Sequence, residues 1–287
     1  MKVLITGARG QLGRALLATA PPNARIVALD RDMLDIGERD EVLAKVDAER
    51  PDLIINAAAY TAVDKAESEP ELAHRMNARG PAHLAGAARA AGARFVHVST
   101  DFVFDGAAGR PYRPGDATNP LGVYGASKRA GEEAVLQALP DALIVRTAWV
   151  YAVTGHNFVR TMLRLMKERR LVTVVSDQIG TPTHASSLAR AIWQLTRAGA
   201  TGIHHYTDAG VASWYDFAVA IAEEAEELGL IGRVEVAPIL ASQYPTAARR
   251  PAFTVLDKAD TWAITGTPWH WRAQLRVMLD ELKEIEG

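Results

Sequence analysis

Short apolar runs alternate with longer amphipathic segments through the first half of the chain. The apolar runs are too short for helices, and they predict buried strands at Lys2–Thr6, Arg25–Leu29, Leu53–Asn56, 94–98 and 142–147. The segments between them have helical composition, which predicts helices at 14–18, 38–50, 70–91 and from Tyr124 onward. This alternation indicates an α/β fold built as a Rossmann-type doubly wound parallel sheet.

The pattern becomes less regular after residue 150. It predicts helices at 157–169, Ala185–Arg197 and 214–228, strands at Leu171–Val175 and 202–207, and a polar turn at 178–183. Short strands, proline turns and a closing helix at 272–284 follow. We therefore predict a dinucleotide-binding Rossmann domain of residues 1–150 plus roughly 171–207. A smaller, discontinuous C-terminal substrate-binding domain would comprise roughly 151–170 and 208–287.

Composition excludes several classes of function. The chain has 287 residues, 48% of them hydrophobic and 23% charged, which is ordinary for a globular protein. Its net charge of −2 gives no reason to expect nucleic acid or a membrane as a partner. There is no cysteine, and the eight histidines lack metal-ligand spacing, so we predict no metal. No signal peptide or membrane-spanning run is visible, and the expected location is cytoplasmic.

A glycine-rich turn, Gly7-Ala8-Arg9-Gly10-Gln11-Leu12-Gly13, lies between the first strand and the first helix. Glycines in this context let backbone N–H groups approach a pyrophosphate at a helix N-terminus. The spacing differs from G-x-G-x-x-G at Ala8, so an ordinary strand-to-helix turn stays the alternative. Asp30 ends the second strand 23 residues after Gly7, where an acid binds the adenosine ribose and favours NAD. Arg31 follows it and could meet a 2′-phosphate, so NADPH and NADH are both expected cofactors.

Tyr124 and Lys128 are four residues apart at the start of a predicted helix, so their side chains share one face. A free tyrosine has a pKa of about 10, and a neighbouring ammonium favours the phenolate and lowers that pKa. Such a pair can exchange a proton with a carbonyl–alcohol couple. Thr100 lies just past the end of a strand and could hydrogen-bond the carbonyl. Surface positions for the pair, and a turn-capping role for Thr100, are the alternatives.

Three other features follow predicted strands or stand in loops. The small residues at 57–59 indicate either close helix packing or a cofactor lying against the backbone. Trp149 would belong to the core or stack on a ligand ring. The Arg249-Arg250-Pro251 run could bind an anionic group or could be a surface pair. The glutamates of the 214–228 helix are interpreted as a solvated face.

These motifs together resemble the dTDP-4-dehydrorhamnose reductase family of extended short-chain dehydrogenases/reductases. The resemblance extends over almost the whole chain. Besides the glycine turn, it rests on four runs, at residues 56–67, 99–106, 146–151 and 177–183. The run Ala58-Ala59-Tyr60-Thr61-Ala62-Val63-Asp64-Lys65-Ala66-Glu67 is the most specific of these.

The resemblance implies NADPH- or NADH-dependent reduction of the C4 keto group of dTDP-4-dehydro-β-L-rhamnose, giving dTDP-L-rhamnose. It implies that Tyr124 is the proton donor, that Lys128 lowers its pKa and holds the nicotinamide ribose, and that Thr100 binds the carbonyl. It places the sugar nucleotide at Thr100, Asp101 and Trp149. The residues implied to bind the cofactor are Gly7, Gly10, Gln11, Leu12, Gly13, Asp30, Arg31, Asp35, Ile36, Ala58, Ala59, Tyr60, Tyr124 and Lys128.

One departure concerns assembly. Some family members have a glutamate shortly after the glycine turn, and this glutamate builds a Mg²⁺-bridged dimer. This chain has Ala15 there, which favours a monomer or a weak homodimer.

Rival functions remain open. Related 4,6-dehydratases carry a Thr-Asp-Glu run, whereas in this chain Phe102 follows Asp101. The 4-epimerases usually carry Ser-Ser-Ala at this place, and that run is also absent here. Another nucleotide-sugar 4-keto reductase or an epimerase stays a possible neighbour. A different class is the non-catalytic, NADP-binding regulatory subunit of methionine adenosyltransferase, which shares the fold.

Overall fold

In the computed structural model, which describes residues 1–286, six parallel strands form one sheet. The strands of the chain are β1 (Lys2–Thr6), β2 (Arg25–Leu29), β3 (Leu53–Asn56), β4 (Arg94–Thr100), β5 (Leu143–Thr147), β6 (Val150–Tyr151), β7 (Leu171–Val175), β8 (Ile179–Gly180), β9 (Thr183–His184), β10 (Gly202–His205), β11 (Ala212–Ser213) and β12 (Glu235–Ile239). The sheet order is β10-β5-β4-β3-β1-β2, so the chain starts in the interior and winds outward in both directions. The five predicted strands and the 202–207 strand are confirmed as members of this sheet.

Helices cover both faces of the sheet. They are α1 (Gln11–Ala18), α2 (Arg39–Glu49), α3 (Val63–Ala66), α4 (Pro70–His74), α5 (Gly80–Ala91), α6 (Val123–Ala138), α7 (Phe158–Glu168), α8 (Ala185–Arg197), α9 (Trp214–Glu227), α10 (Ala259–Thr265) and α11 (Trp271–Glu286). On one face, α1 and α8 bury Leu16 and Ile192 against the sheet, and on the other α2 and α5 bury Val42 and Leu84. Apolar side chains on both faces explain why the strands are continuous apolar runs, and the doubly wound fold is confirmed.

The predicted 70–91 helix is interrupted by a π-helical turn at Arg75–Arg79. Pro81 has no N–H to donate to the carbonyl of Asn77 four residues earlier. The local widening into a π turn accommodates that missing hydrogen bond. Helix α6 packs on this turn and on the helices that flank it, α4 and α5.

A second apolar core is built by α7, α9 and α11 around β7 and β12. It buries Phe217, Leu275 and Met278. Strand β7 pairs in parallel with β12 in a separate two-stranded sheet, so its predicted place in the Rossmann domain is wrong. The sequence shows an apolar run there but does not show the partner strand, which comes 64 residues later along the chain. The remaining domain bounds stay a prediction.

Two further predictions need correction. Residues 178–183 contain two short strands, β8 and the start of β9, which pair with β11 and β6. The glutamates of α9 are not simply solvated, because Glu223 and Glu224 form ion pairs with Arg272 of α11, and Glu224 also pairs with Arg276. These pairs hold the closing helix against α9.

Among residues 1–286, no helix has both the length and the apolar content to cross a bilayer. Within the same residues, no group of three or more His, Asp or Glu side chains is placed to hold a metal ion.

Candidate active site

The glycine turn forms the floor of a cleft at the carboxyl edge of β1 and β3. Gly7 has φ +69°, and a Cβ there would lie 2.6 Å from the backbone nitrogen of Ala58. A Cβ on Gly13 would overlap the carbonyl oxygen of Gly7. Only glycine therefore fits both positions, which brings the turn close to β3 and starts α1 against it. The N-cap of α1, Gly10, makes no side-chain capping hydrogen bond.

The cleft has a volume of about 450 Å³. Eight of the predicted cofactor residues line it: Gly7, Gly10, Asp30, Arg31, Ile36, Ala58, Ala59 and Tyr60. Tyr60 is held in place because its hydroxyl donates to Glu69, at 2.7 Å, and its backbone N–H donates to Asn77, at 2.8 Å. The structure thus brings the glycine turn and the residues that follow β3, both predicted to bind the cofactor, into one cleft.

Six predicted cofactor residues do not line this cleft: the catalytic pair Tyr124 and Lys128, described below, and Gln11, Leu12, Gly13 and Asp35. Gln11 accepts a hydrogen bond from Asn157, and Leu12 belongs to the core under the sheet. Gly13 serves the close packing described above. Asp35 accepts hydrogen bonds from Arg75 and Gly37, which hold its pKa below the usual range although burial acts to raise it.

Arg9 lines the cleft, and the sequence reasoning missed it as a site residue. Its Nε lies 2.6 Å from the Asp30 carboxylate and its Nη1 lies 3.0 Å from Asp32. Asp30 also accepts backbone hydrogen bonds from Asp32 and Met33. The acid at the end of β2 is therefore buried and locally neutralised. The available signal was a basic residue inside the turn itself.

Tyr124 and Lys128 lie on the first turns of α6, beside the carboxyl end of β4. Lys128 is buried, and its Nζ donates to the carbonyl oxygen of Val98 at 2.6 Å. Burial lowers the pKa of Lys128 to about 8. Tyr124 is half-buried, with its ring edge-on to Phe102.

The predicted lowering of the Tyr124 pKa by Lys128 is not observed. Burial raises the pKa of Tyr124 to about 12, Asp101 adds to the increase, and a hydrogen bond with Thr100 acts in the opposite direction. Sequence spacing places the two side chains on one helix face, but it carries no information on their desolvation. The phenol is protonated at neutral pH, as it would be at the ordinary tyrosine pKa of about 10, and in this structure it is a weaker acid than the sequence predicted.

Thr100 and Asp101 end β4 next to Tyr124. The Thr100 hydroxyl donates to Asp101 at 3.1 Å, and it accepts from the backbone N–H of Phe102 at 3.3 Å. The predicted turn-capping role of Thr100 and its contact with Tyr124 thus occur together. Asp101 is 1% exposed, and burial raises its pKa to about 6 against hydrogen bonds from Thr254 and Thr100.

Trp149 lies just past β5 in an unusual backbone conformation, with φ +47°. Its indole stacks on Trp214 with ring centroids 3.5 Å apart and planes 8° from parallel. It also packs so closely on Gly180 that a Cβ there would lie 2.7 Å from the ring. A non-glycine residue that packing holds in the left-handed backbone region is typical of a functional site. Trp214 was missed, since an aromatic residue at the start of an amphipathic helix has no distinctive pattern.

Arg250 and both tryptophans line a small cavity, of about 20 Å³, together with Phe102, Gln178, Ile179, Pro251 and Thr254. The Arg250 guanidinium binds the Asp64 carboxylate through two hydrogen bonds, of 3.0 and 2.7 Å. This contact lowers the pKa of Asp64. The Arg249-Arg250-Pro251 run is therefore not a plain surface pair, because one of its arginines holds an anion supplied by the chain.

The family model for the RmlD substrate binding domain matches residues 1–284. The chain belongs to this family. Within the RmlD substrate binding domain family, the chain is 43% identical over 285 residues to a dTDP-4-dehydrorhamnose reductase from Aggregatibacter actinomycetemcomitans, covering 96% of this chain and 97% of the relative.

Two solved structures have the same architecture. A dTDP-4-dehydrorhamnose reductase from Clostridium acetobutylicum is 40% identical with a TM-score of 0.94, covering 99% of this chain and 100% of its own. The enzyme of that name from Bacillus anthracis, solved in complex with NADP, is 37% identical with a TM-score of 0.92, covering 98% and 99% of the two chains.

Proposed function

We propose that this protein is a dTDP-4-dehydrorhamnose reductase that uses NADPH or NADH. It reduces the C4 keto group of dTDP-4-dehydro-β-L-rhamnose to give dTDP-L-rhamnose. Membership of the family and the names of relatives about 40% identical support this assignment. The observation that carries it is the position of Thr100, Tyr124 and Lys128 at the sheet edge that also forms the cofactor cleft.

The residues of the cleft fit a nicotinamide dinucleotide. The uncapped N-terminus of α1 and the glycine turn present backbone N–H groups suited to a pyrophosphate. Asp30, with Arg9 beside it, offers an acceptor and a cation to the adenosine ribose. When bound, NAD(P)H supplies the hydride. The NADP complex of the Bacillus anthracis relative supports this part of the proposal.

In the proposed chemistry, Tyr124 gives its proton to the oxygen that develops at C4. The phenol carries that proton at neutral pH, because even the ordinary pKa of a tyrosine is about 10. Thr100, which lies beside Tyr124, would turn its single hydroxyl proton from Asp101 to the substrate carbonyl. Lys128 would hold the nicotinamide ribose beside Tyr124. General acid catalysis of this kind contributes typically ~10²–10⁴ in rate.

The substrate is a dTDP-linked 4-keto-6-deoxy sugar bound by Asp101 and Trp149. Trp149 is partly exposed, with one face of its indole stacked on Trp214, and would meet the sugar through the exposed part of the ring. The buried Asp101 would be an oriented acceptor for a hydroxyl. The assembly as a monomer or weak homodimer, the cytoplasmic location and the absence of nucleic-acid or membrane partners stay predictions.

The rival classes make different predictions for one assay. A regulatory subunit would bind the cofactor and leave the keto sugar unchanged, whereas a reductase oxidises the cofactor. An epimerase would convert its sugar without net oxidation of added NADPH. The intact Thr100, Tyr124 and Lys128 favour catalysis over a purely binding role.

The test is oxidation of NADPH and of NADH with dTDP-4-dehydrorhamnose, generated in situ, by the wild type and by Tyr124→Phe. We expect turnover by the wild type and a loss of roughly 10²–10⁴ in kcat for the variant, with cofactor binding retained. Tyr244→Phe, at a tyrosine that is 61% exposed, is the matched control and should keep full activity. Cofactor binding without turnover of either cofactor by the wild type would reject the reductase assignment.

A further inference from the structure

A fully buried histidine lies directly behind Lys128. His97 is in the middle of β4, and its Nε2 lies 3.5 Å from the Lys128 Nζ. On its other side, its Nδ1 lies 3.1 Å from the Nδ2 of Asn56, the last residue of β3. This three-residue chain connects the strand that leads into the cofactor cleft with the lysine of the candidate active site. Neither His97 nor Asn56 has a role in the proposal above.

The orientation of the Asn56 amide is fixed by its other contacts. Its Oδ1 accepts hydrogen bonds from the backbone N–H of Ala58, at 3.1 Å, and from the Thr6 hydroxyl, at 2.7 Å. A backbone N–H can only donate, so the atom that faces Ala58 must be the amide oxygen. The Asn56 NH₂ group therefore faces His97 and donates to its Nδ1.

That donation determines the tautomer of His97. A ring nitrogen that accepts a hydrogen bond carries no proton, so the proton of the neutral imidazole is on Nε2. The Nε2–H group then points at Lys128. The Lys128 Nζ already donates to Val98, and an amine nitrogen has a lone pair that can accept from His97. An ammonium group has no lone pair, and it would meet the Nε2–H proton with a like partial charge.

We propose that Asn56 and His97 are positioning residues that set the charge of Lys128, by fixing a tautomer whose N–H group favours the neutral amine. This inference rests on the role proposed above for Lys128. It makes Lys128 a group that gains and loses a proton close to the working pH rather than a permanent cation. The orientation of Asn56 is fixed by the backbone N–H of Ala58, which lines the cofactor cleft. Asn56 would therefore couple this end of β3 to the protonation of Lys128.

The surroundings of Lys128 agree with this assignment. Burial holds the pKa of His97 well below its usual value, so the ring is neutral. From its own helix, Glu132 acts on Lys128 in the opposite direction, favouring the ammonium. Glu132 is held by Arg146 of β5 through two hydrogen bonds, of 2.8 and 2.7 Å. Among the described residues, His97 is the titratable group that contacts Lys128 from the sheet.

The first test is the tautomer of His97 in the free wild-type protein, measured by ¹⁵N NMR of the ring nitrogens. Comparison with His97→Gln assigns the signals. We expect a protonated Nε2 and a bare Nδ1 from mildly acidic to mildly alkaline pH. A proton on Nδ1, or on both nitrogens, would overturn the proposal. This measurement needs no substrate, so it is decided independently of the reductase assignment.

The second test reverses the tautomer. In Asn56→Asp the carboxylate accepts from the His97 Nδ1–H, which leaves Nε2 as an acceptor for an ammonium on Lys128. We expect the alkaline limb of the pH profile of kcat/KM to move upward by roughly one pH unit or more. In the double variant Asn56→Asp, His97→Gln the new charge stays while the tautomer is removed. A return of the limb toward its wild-type position supports the relay, whereas an unchanged shift shows a purely Coulombic effect and rejects it.

Discussion

At the scale of single residues, Arg9 decides how the cleft treats the adenosine ribose. An acid at the end of β2 normally repels a 2′-phosphate, because two negative charges would share one groove. Here the Arg9 guanidinium contacts both Asp30 and Asp32, and its side chain is 68% exposed, so it is free to turn toward a ligand. The cleft therefore offers an acceptor to the NADH ribose and a cation to the NADPH phosphate.

Removing this cation should separate the two cofactors. In Arg9→Gln we expect the Kd for NADPH to rise about tenfold, about 1.4 kcal/mol, while the Kd for NADH changes little. Fluorescence titration with each cofactor measures this directly. Arg39→Gln, at an arginine with an equally exposed side chain (70%), is the control. Equal losses for the two cofactors would show that Arg9 supports the fold of the turn rather than the phosphate.

At the scale of elements, the position of the catalytic pair depends on how closely α6 approaches the π turn at Arg75–Arg79. Gly131 faces the carbonyl oxygen of Asn77, and a Cβ there would overlap that oxygen. The Asn77 side chain in turn donates to the Ser127 hydroxyl on α6 and to the carbonyl of Tyr60 in the cofactor cleft. The π turn thus fixes both the helix that carries Tyr124 and the cleft wall.

The same substitution at two helical glycines should have opposite effects. Gly131→Ala forces backbone atoms apart and should lower the free energy of unfolding by roughly 1–3 kcal/mol. Gly86→Ala, in α5, has no heavy atom within 4 Å of its new Cβ and should raise it by roughly 0.5–1 kcal/mol. Urea unfolding of both variants gives the comparison. Stabilisation by Gly131→Ala would mean that α6 does not pack on Asn77 at this distance.

The elements that the sequence predicts well are those defined by local pattern. Continuous apolar runs identify β1 to β5 because a sheet covered on both faces needs them. The partner of β7 and the π turn at Asn77 depend on distant pairing and on one missing N–H, which no periodicity displays. The site is located in the same way, because the glycine spacing, Asp30 and the Tyr124–Lys128 pair are all patterns that can be read within a short stretch of sequence. Arg9, His97 and the raised pKa of Tyr124 escape prediction because burial and facing groups are properties of the folded chain.

At the scale of the whole molecule, the Arg250–Asp64 contact joins two segments that are 186 residues apart. Asp64 lies in α3, after the strand end that lines the cofactor cleft, and it also accepts a hydrogen bond from the backbone N–H of Ala248. Arg250, Pro251 and Thr254 line the small cavity at Trp149 and Trp214. The contact therefore joins the segment that lines this small cavity, beside the proposed substrate residue Trp149, to the segment that follows the cofactor-binding end of β3.

Breaking this contact should affect the sugar nucleotide more than the cofactor. Both side chains are partly exposed, 24% for Arg250 and 46% for Asp64, so we expect a coupling of at most about 1 kcal/mol. Asp64→Asn and Arg250→Gln should each raise the KM for the sugar nucleotide several-fold, and the double variant should lose little more than either single one. The Kd for NADPH should stay near the wild-type value, because the cofactor cleft itself does not include Arg250.

Glu168→Gln, which breaks the exposed Arg164–Glu168 pair, should change neither the KM for the sugar nucleotide nor the Kd for NADPH. Additive losses in the double variant, or an equal loss of NADPH binding, would show that the two segments act separately and that this contact does not organise the pocket.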